Sequence, residues 1–215
     1  MKIAILGTGM VGATIGSKLI ELGHEVKMGS RTADNAKATD WAKTHGIKAS
    51  AGTFADAAVF GELAFNCTSG QGSIEALKLA GEKNLNGKLL IDVANPLDFS
   101  KGMPPSLTVC NTDSLGEQIQ RTFPAIKVVK TLNTMNCKLM VNPSLVSGEH
   151  DVFISGNDAQ AKEQVKQILK DWFGWKTIID LGDITTARGT EQLLPIWIRL
   201  MGVLGTPNFN FKIIK

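Results

Sequence analysis

The stretch KIAILGTGMVGATIG, Lys2 to Gly16, decides the fold. A short apolar run is followed at once by Gly7, Gly9 and Gly12 in G-x-G-x-x-G spacing, and Val11, Ile15 and Leu19 then mark one face of a helix. In such a strand–turn–helix the first glycine permits the tight turn, the second lets the backbone approach a pyrophosphate, and the third lets helix and strand pack closely. Free N–H groups and the helix dipole at the helix start favour the phosphates' negative charge. Gly16 continues the series and reads as packing.

Working outward, Gly23 is placed as a helix stop and HEVKMGS, His24 to Ser30, reads as a second strand, which completes a βαβ unit. Where an NAD-preferring fold carries an acid, about 20 residues beyond the loop, this chain has Gly29-Ser30-Arg31-Thr32, and no acid precedes Asp34. A carboxylate would repel a 2′-phosphate. A guanidinium can pair with it through two parallel charge-assisted hydrogen bonds, and Ser30 can donate a third. The stretch MGSR is therefore read as selecting NADP, against the plainer reading of Arg31 as an ordinary surface arginine.

Apolar runs and helical patterns alternate along the rest of the chain. Helices are expected at Asn35 to His45, Ser73 to Leu79, Ser114 to Phe123 and Ala159 to Trp172; strands at Lys48 to Ser50, Glu62 to Thr68, Lys88 to Asn95, Lys127 to Met135, Asp151 to Gly156 and Lys176 to Ile184. This implies an α/β Rossmann fold, a doubly wound, mostly parallel sheet covered on both faces, with a small helical C-terminal region. From Thr186 a long apolar helix containing Pro195 is expected, then a loop and short strand in GTPNFNFKI. The expected division is a nucleotide-binding domain over 1–180 and a C-terminal region over 181–215.

The bulk numbers exclude more than they assign. Apolar residues make up 43% and charged residues 20%, and the net charge of +3 is spread without a basic run, so no nucleic-acid or membrane partner is indicated. The opening apolar run lacks the basic region of a secretion signal, and the glycine spacing explains it better. The apolar stretch Leu193 to Gly205 is too short to span a bilayer and contains Arg199. Cys67, Cys110 and Cys137 include no CxxC pair and suggest neither disulfides nor a metal site, as expected of a cytoplasmic protein.

The inventory of proton donors is thin. The chain has no tyrosine, and His24, His45 and His150 fall at element ends where solvated or structural roles are expected. Lys130 and Lys138 flank the sixth expected strand; they read as exposed lysines, with proton donation as the alternative. No catalytic side chain is assigned. Hydride transfer to a flavin-like ring needs only stacking and the exclusion of water, so the inventory favours a flavin or deazaflavin acceptor. Beyond the strand ends, Thr68, Ser69, Asn95, Pro96 and Asn133 either border a nicotinamide or cap the following helices.

GTGMVG, MGSR, LNTMN and TTARGTEQLLPIWIRLMGVLGTPNFNFKI resemble the NADP oxidoreductase, coenzyme F420-dependent family, over nearly the whole chain. More distantly the chain resembles the cytosolic domain of six-transmembrane metalloreductases. The family resemblance implies NADP as cofactor, with coenzyme F420 (a deazaflavin) or flavin as co-substrate, direct hydride transfer, and a C-terminal region that forms both a homodimer contact and the acceptor pocket. It places Thr8, Gly9, Met10 and Val11 on the phosphates and Ser30 with Arg31 on the 2′-phosphate. Asn133, Met135 and Arg188 fall on the acceptor side, with Asn133 where archaeal members carry histidine. The alternatives are an NADPH-dependent reductase of a small carbonyl or imine compound, and a non-catalytic NADP-sensing module.

Overall fold

The glycine turn sets the first crossover of a computed structural model that describes all residues, Met1–Lys215. Strand β1 (Lys2–Leu6) passes through it into α1 (Met10–Glu21) and the chain returns as β2 (Glu25–Ser30). Then follow α2 (Ala36–His45), β3 (Ala49–Thr53), α3 (Phe54–Phe60), β4 (Leu63–Asn66), α4 (Gly70–Ala80), α5 (Glu82–Leu85) and β5 (Leu89–Asp92). A small antiparallel pair, β6 (Leu97–Asp98) and β7 (Ser106–Leu107), precedes α6 (Leu115–Thr122) and β8 (Lys127–Thr131). The chain ends with α7 (Cys137–Val141), β9 (Asp151–Gly156), α8 (Ala159–Asp171), β10 (Thr177–Asp180), α9 (Ala187–Gln192) and α10 (Leu194–Leu204).

Eight strands form one sheet in the order β10-β9-β8-β5-β4-β1-β2-β3. The chain winds from β1 toward β3 in one direction and through β4, β5 and β8 in the other. The switch therefore lies between β1 and β4, which are parallel neighbours, and ligands of such sheets bind beyond the carboxyl ends of the strands there. Both faces are covered: 29 buried residues, Ile3, Ile15, Phe65 and Trp175 among them, pack on one side, and 19, including Leu6, Leu77 and Ile119, on the other. This is the Rossmann-like arrangement expected, since strands buried on both faces read as continuous apolar runs.

Five details depart from expectation. Strand β9 runs antiparallel to β8, with Thr131 opposite Ile154 and Val129 opposite Gly156, because the intervening α7 and the 3-10 turn Pro143–Leu145 do not make a βαβ crossover. Helix α3 was not foreseen; Thr53 and Asp56 form a reciprocal capping box at its start. The expected strand to Met135 stops at Thr131, where Leu132 turns to a φ of 60°. The expected long C-terminal helix is two helices meeting at Leu193, with Pro195 in the first turn of α10, where its missing N–H costs nothing. The tail after Gly205 forms no strand, although the Asp151 N–H donates to the Phe211 carbonyl at 3.0 Å.

Helix α10 was expected to be buried against the sheet or a second subunit. Within this chain it buries Leu194 and Trp197, and Trp197 stacks on Phe209 at 5.3 Å, whereas Val203 is 83% exposed and Ile196 and Leu204 are more than half exposed. No helix is long and apolar enough to cross a membrane.

Candidate functional site

The glycines after β1 are required by space. Gly7 has a φ of +120°, and a Cβ there would lie 2.6 Å from the Cys67 carbonyl oxygen, so only glycine lets the turn pass the end of β4. A Cβ on Gly12 would overlap the Gly7 carbonyl and press on Ile5 Cγ2 at 3.1 Å. Gly9 differs: nothing lies within 4 Å of the place its Cβ would fill, so that face of the backbone is open to a ligand. Gly9 caps α1 without a side-chain hydrogen bond and the first turn holds no acid, which leaves the leading N–H groups free for an anion. Thr8 is half-buried at the turn, Met10 is 74% exposed, and Val11 packs partly against the core. Gly16 serves packing, as expected: its missing Cβ would sit 2.8 Å from the Trp41 ring.

At the carboxyl end of β2, the Ser30 hydroxyl is buried and donates to the Thr32 carbonyl at 2.5 Å. Its proton is spent on shaping the turn, not held outward as the sequence suggested. Arg31 is exposed and has no ion-pair partner. Its Nη2 lies 3.9 Å from where a Gly72 Cβ would stand, so the guanidinium leans toward the first turn of α4. That helix also begins without a side-chain cap or an acid in its first turn, at exposed Ser69. Positive groups thus face one another across the ends of β2 and β4.

The loops after β4, β5 and β8 meet over a buried polar network. The Thr68 hydroxyl donates to Asn66 Oδ1 at 2.7 Å and lies 2.7 Å from Ser73 Oγ. Asn66 Nδ2 donates to Asp92 Oδ1 at 2.8 Å, and Asp92 Oδ2 accepts from the Lys130 ammonium at 2.8 Å. The same ammonium donates to the Ala94 carbonyl at 2.5 Å and pairs with Glu191 Oε1 at 2.8 Å. Glu191 in turn accepts from the N–H groups of Leu115 and Gly116, at the start of α6, at 2.8 and 3.0 Å. Lys130, read from sequence as an exposed lysine, is 1% exposed. Burial alone would lower its affinity for a proton; Asp92 and Glu191 more than offset this and hold it charged, with its pKa raised. Each of its three N–H bonds has an acceptor, which leaves no proton to offer a substrate.

The signal for this network is present in the sequence. Asp92 ends LLID and Lys130 interrupts VVKT, and charges inside strands covered on both faces must pair with one another. What the sequence cannot give is the third partner, 61 positions beyond Lys130 at Glu191 in α9.

Above the network, Asn95 and Asn133 exchange two hydrogen bonds: Asn95 Nδ2 donates to the Asn133 carbonyl at 2.8 Å, and Asn133 Nδ2 donates to Asn95 Oδ1 at 2.9 Å. Pro96 is buried and its carbonyl accepts from the Thr108 N–H at 2.8 Å. Gly70 packs so closely on the Asn95 carbonyl that a Cβ there would overlap it. Met135 is buried in the larger core layer. Arg188 is not brought to Asn133 and Met135 as expected. It belongs to α9, whose Ala187 packs in the opposite core layer, and makes a two-pronged bond to Glu117 with Nε–Oε2 at 2.8 Å and Nη2–Oε1 at 2.6 Å.

The remaining candidates are accounted for by structure. The His24 ring packs tilted against Trp172, centroids 4.4 Å apart, and burial pushes its pKa down. His45 stacks on Trp41, and His150 bridges the Pro143 carbonyl and Asn210. Lys138 is exposed on α7. Burial, with the Asp92 charge, raises the Cys67 thiol and keeps it protonated.

An open glycine turn on an acid-free helix start, at the switch point of a doubly wound sheet, defines a nucleotide-binding protein of the Rossmann class. The model of the family "NADP oxidoreductase coenzyme F420-dependent" matches residues 2–96. A crystal structure of a proposed F420-dependent NADP-reductase from Arthrobacter sp. FB24 is 57% identical, each chain covering 100% of the other, with a TM-score of 0.95. The F420-dependent NADP reductase of Methanothermobacter marburgensis is 28% identical over 93% of this chain and 92% of its own. Rat metalloreductase STEAP3 is 30% identical over 91% of this chain, which spans only 38% of that protein's length. An imine reductase from Streptomyces aurantiacus, 16% identical with a TM-score of 0.65 over 95% of this chain and 64% of its own, shares the fold alone. The chain belongs to the NADP oxidoreductase, coenzyme F420-dependent family and is an NADP-dependent oxidoreductase.

Proposed function

We propose that this protein transfers a hydride between NADPH and a ring acceptor of the deazaflavin or flavin type, with coenzyme F420 the leading candidate. The observation that carries the cofactor half is Arg31: an exposed guanidinium without an ion-pair partner at the end of β2, beside a glycine turn whose helix has no acid in its first turn. The residues fit a dinucleotide bearing a 2′-phosphate. Gly7, Thr8, Gly9, Met10, Val11 and Gly12 would hold the pyrophosphate on the leading N–H groups of α1, and Arg31 the 2′-phosphate, on a turn braced by Ser30. Thr68, Ser69, Asn95 and Pro96 would border the nicotinamide, with Asn133 and Met135 toward the acceptor and Arg188 steadying α9 from behind.

When bound, NADPH supplies the hydride, and the ring acceptor supplies the electron sink. The chain's own residues grip, orient and exclude water. The acceptor half of the proposal rests on what the rim cannot supply. Lys130 has no free N–H, Cys67 stays protonated, and the histidines are engaged elsewhere, so reduction of a carbonyl or imine lacks its customary side-chain acid. The relatives named for F420 support the same choice.

The exposed apolar side of α10 is assigned to a homodimer contact, residues 1–180 to the nucleotide half and 181–215 to the contact and acceptor side; three free cysteines suit a cytoplasmic setting. Loss of reduced-nicotinamide absorbance with F420, FMN, and a small imine or ketone tests the function. Turnover with a ring and not with the carbonyl or imine supports it. Tight NADPH binding without turnover on either ring overturns the acceptor assignment.

A further inference from the structure

We infer that Lys130 is a positioning residue for the nicotinamide end of the site, and that it makes the geometry of that end depend on the docked helix α9. The inference rests on the NADPH reading above. Lys130 grips the Ala94 carbonyl at 2.5 Å and so fixes the turn that carries Asn95. Asn95 exchanges two hydrogen bonds with Asn133, which stands three residues after Lys130 on the same chain. A closed ring results: from Lys130 through space to Ala94, along the chain to Asn95, across to Asn133, and back through Leu132. Glu191 extends the ring to α9 and to the leading N–H groups of α6.

Two features set this ring apart from a stabilising core. Leu132, 1% exposed, holds a φ of 60°, a left-handed conformation that a leucine keeps only where its surroundings over-determine it; such residues cluster at functional sites. The preceding residue is also pinned, its Thr131 hydroxyl donating to the Phe153 carbonyl at 2.8 Å. Second, a buried ammonium between two carboxylates is a poor way to gain stability, since apolar residues of the same volume do as well or better. What the arrangement provides is direction: three acceptors in fixed places hold one carbonyl, and through it one pair of amides.

The test uses the full chain and NADP alone. Amide hydrogen exchange is followed by mass spectrometry with and without NADP+, and NADPH is titrated while the emission of its reduced ring is recorded. Affinity reports the phosphate grip, and emission the nicotinamide surroundings. In the wild type, NADP+ is expected to slow exchange across Ala187–Gln192 by about tenfold, although these residues lie outside the proposed phosphate grip. Lys130→Met is expected to bind NADPH within about threefold of wild type, to lose the slowed exchange in α9, and to return the bound emission toward that of free NADPH. Should Lys130→Met not fold, Glu191→Gln decides, because it keeps the Lys130–Asp92 and Lys130–Ala94 contacts while removing the carboxylate charge of α9 and one of the two oxygens that serve Lys130, Leu115 and Gly116.

Wild-type emission together with wild-type NADP+-dependent protection in Glu191→Gln overturns the inference. So does a parallel fall of affinity and emission in step with thermal stability, the mark of a merely structural role. A wild type that binds NADP+ yet reduces no ring removes the acceptor assignment and leaves this inference to the exchange data. A wild type that binds no NADP+ removes both.

Discussion

Replacing Arg31 with alanine isolates the 2′-phosphate grip. The guanidinium has no ion-pair partner in this chain, so its removal breaks nothing already made and should leave the melting temperature unchanged. With its hydroxyl turned inward to the Thr32 carbonyl, Ser30 does not replace it. A hydrogen bond to a charged group is worth about 1.5–3 kcal/mol, and two in parallel on an exposed, salt-screened surface about 2–3 kcal/mol together. At about 1.4 kcal/mol per factor of ten, NADPH should bind about 30- to 140-fold more weakly, whereas NADH affinity stays within about twofold. Fluorescence titration of both cofactors at two salt concentrations reads this directly, and the wild-type preference should narrow as salt rises. Ser30→Ala should shift NADPH affinity far less. Equal weakening of NADPH and NADH, or of neither, refutes the assignment of Arg31.

Gly16→Ala should destabilise although alanine is the better helix former: the about 1 kcal/mol of propensity is outweighed by a Cβ 2.8 Å from the Trp41 ring, and thermal melting should fall as Trp emission changes. Stability should decline on acidification. Glu117 is held below its ordinary value of 4.5, first by the Arg188 hydrogen bonds, and Asp113 is held at about 2 by Arg121. Both contributions are complete above the ordinary carboxylate range and are lost as pH falls through the lowered values, so Glu117→Gln should flatten the slope in a melting series. Val203→Glu, on the exposed side of α10, should leave folding and NADPH affinity intact; sedimentation giving 23.0 kDa for the variant and twice that for the wild type would support the α10 dimer, and equal masses would remove it.

The first βαβ unit was readable because its constraints are local: three glycines, one strand and one helix face lie within about thirty residues. The parallel strands were readable because burial on both faces leaves continuous apolar runs such as KIAIL and LLID. The reversal of β9 was hidden, since DVFISG carries the same apolar run whichever way it pairs. Helix α3 was missed because seven residues are too few for a periodic pattern, although the capping box at Thr53 and Asp56 was there to be seen. Lys130 was misjudged for a different reason. A lysine is exposed unless partners gather around it, and here one partner comes from each of two distant segments. Arg31 and the glycine turn are read from local spacing alone, whereas the side facing Asn133 and Arg188 depends on contacts between distant segments.

The reversal at β8 also fixes where the last residues can go. Because β9 enters beside the carboxyl end of β8, the segment that follows α10 is stapled to that same end: the Asn136 side-chain amide donates to the Pro207 carbonyl at 2.6 Å, and the Ile213 N–H donates to Asp151 Oδ2 at 2.6 Å. One margin of the sheet is thus assembled from stretches more than sixty positions apart, while the phosphate cradle is drawn from the first few dozen. Substitutions in the tail can reshape that margin and leave the cradle as it is, so under the proposed assignment the acceptor side can be retuned independently of the coenzyme side.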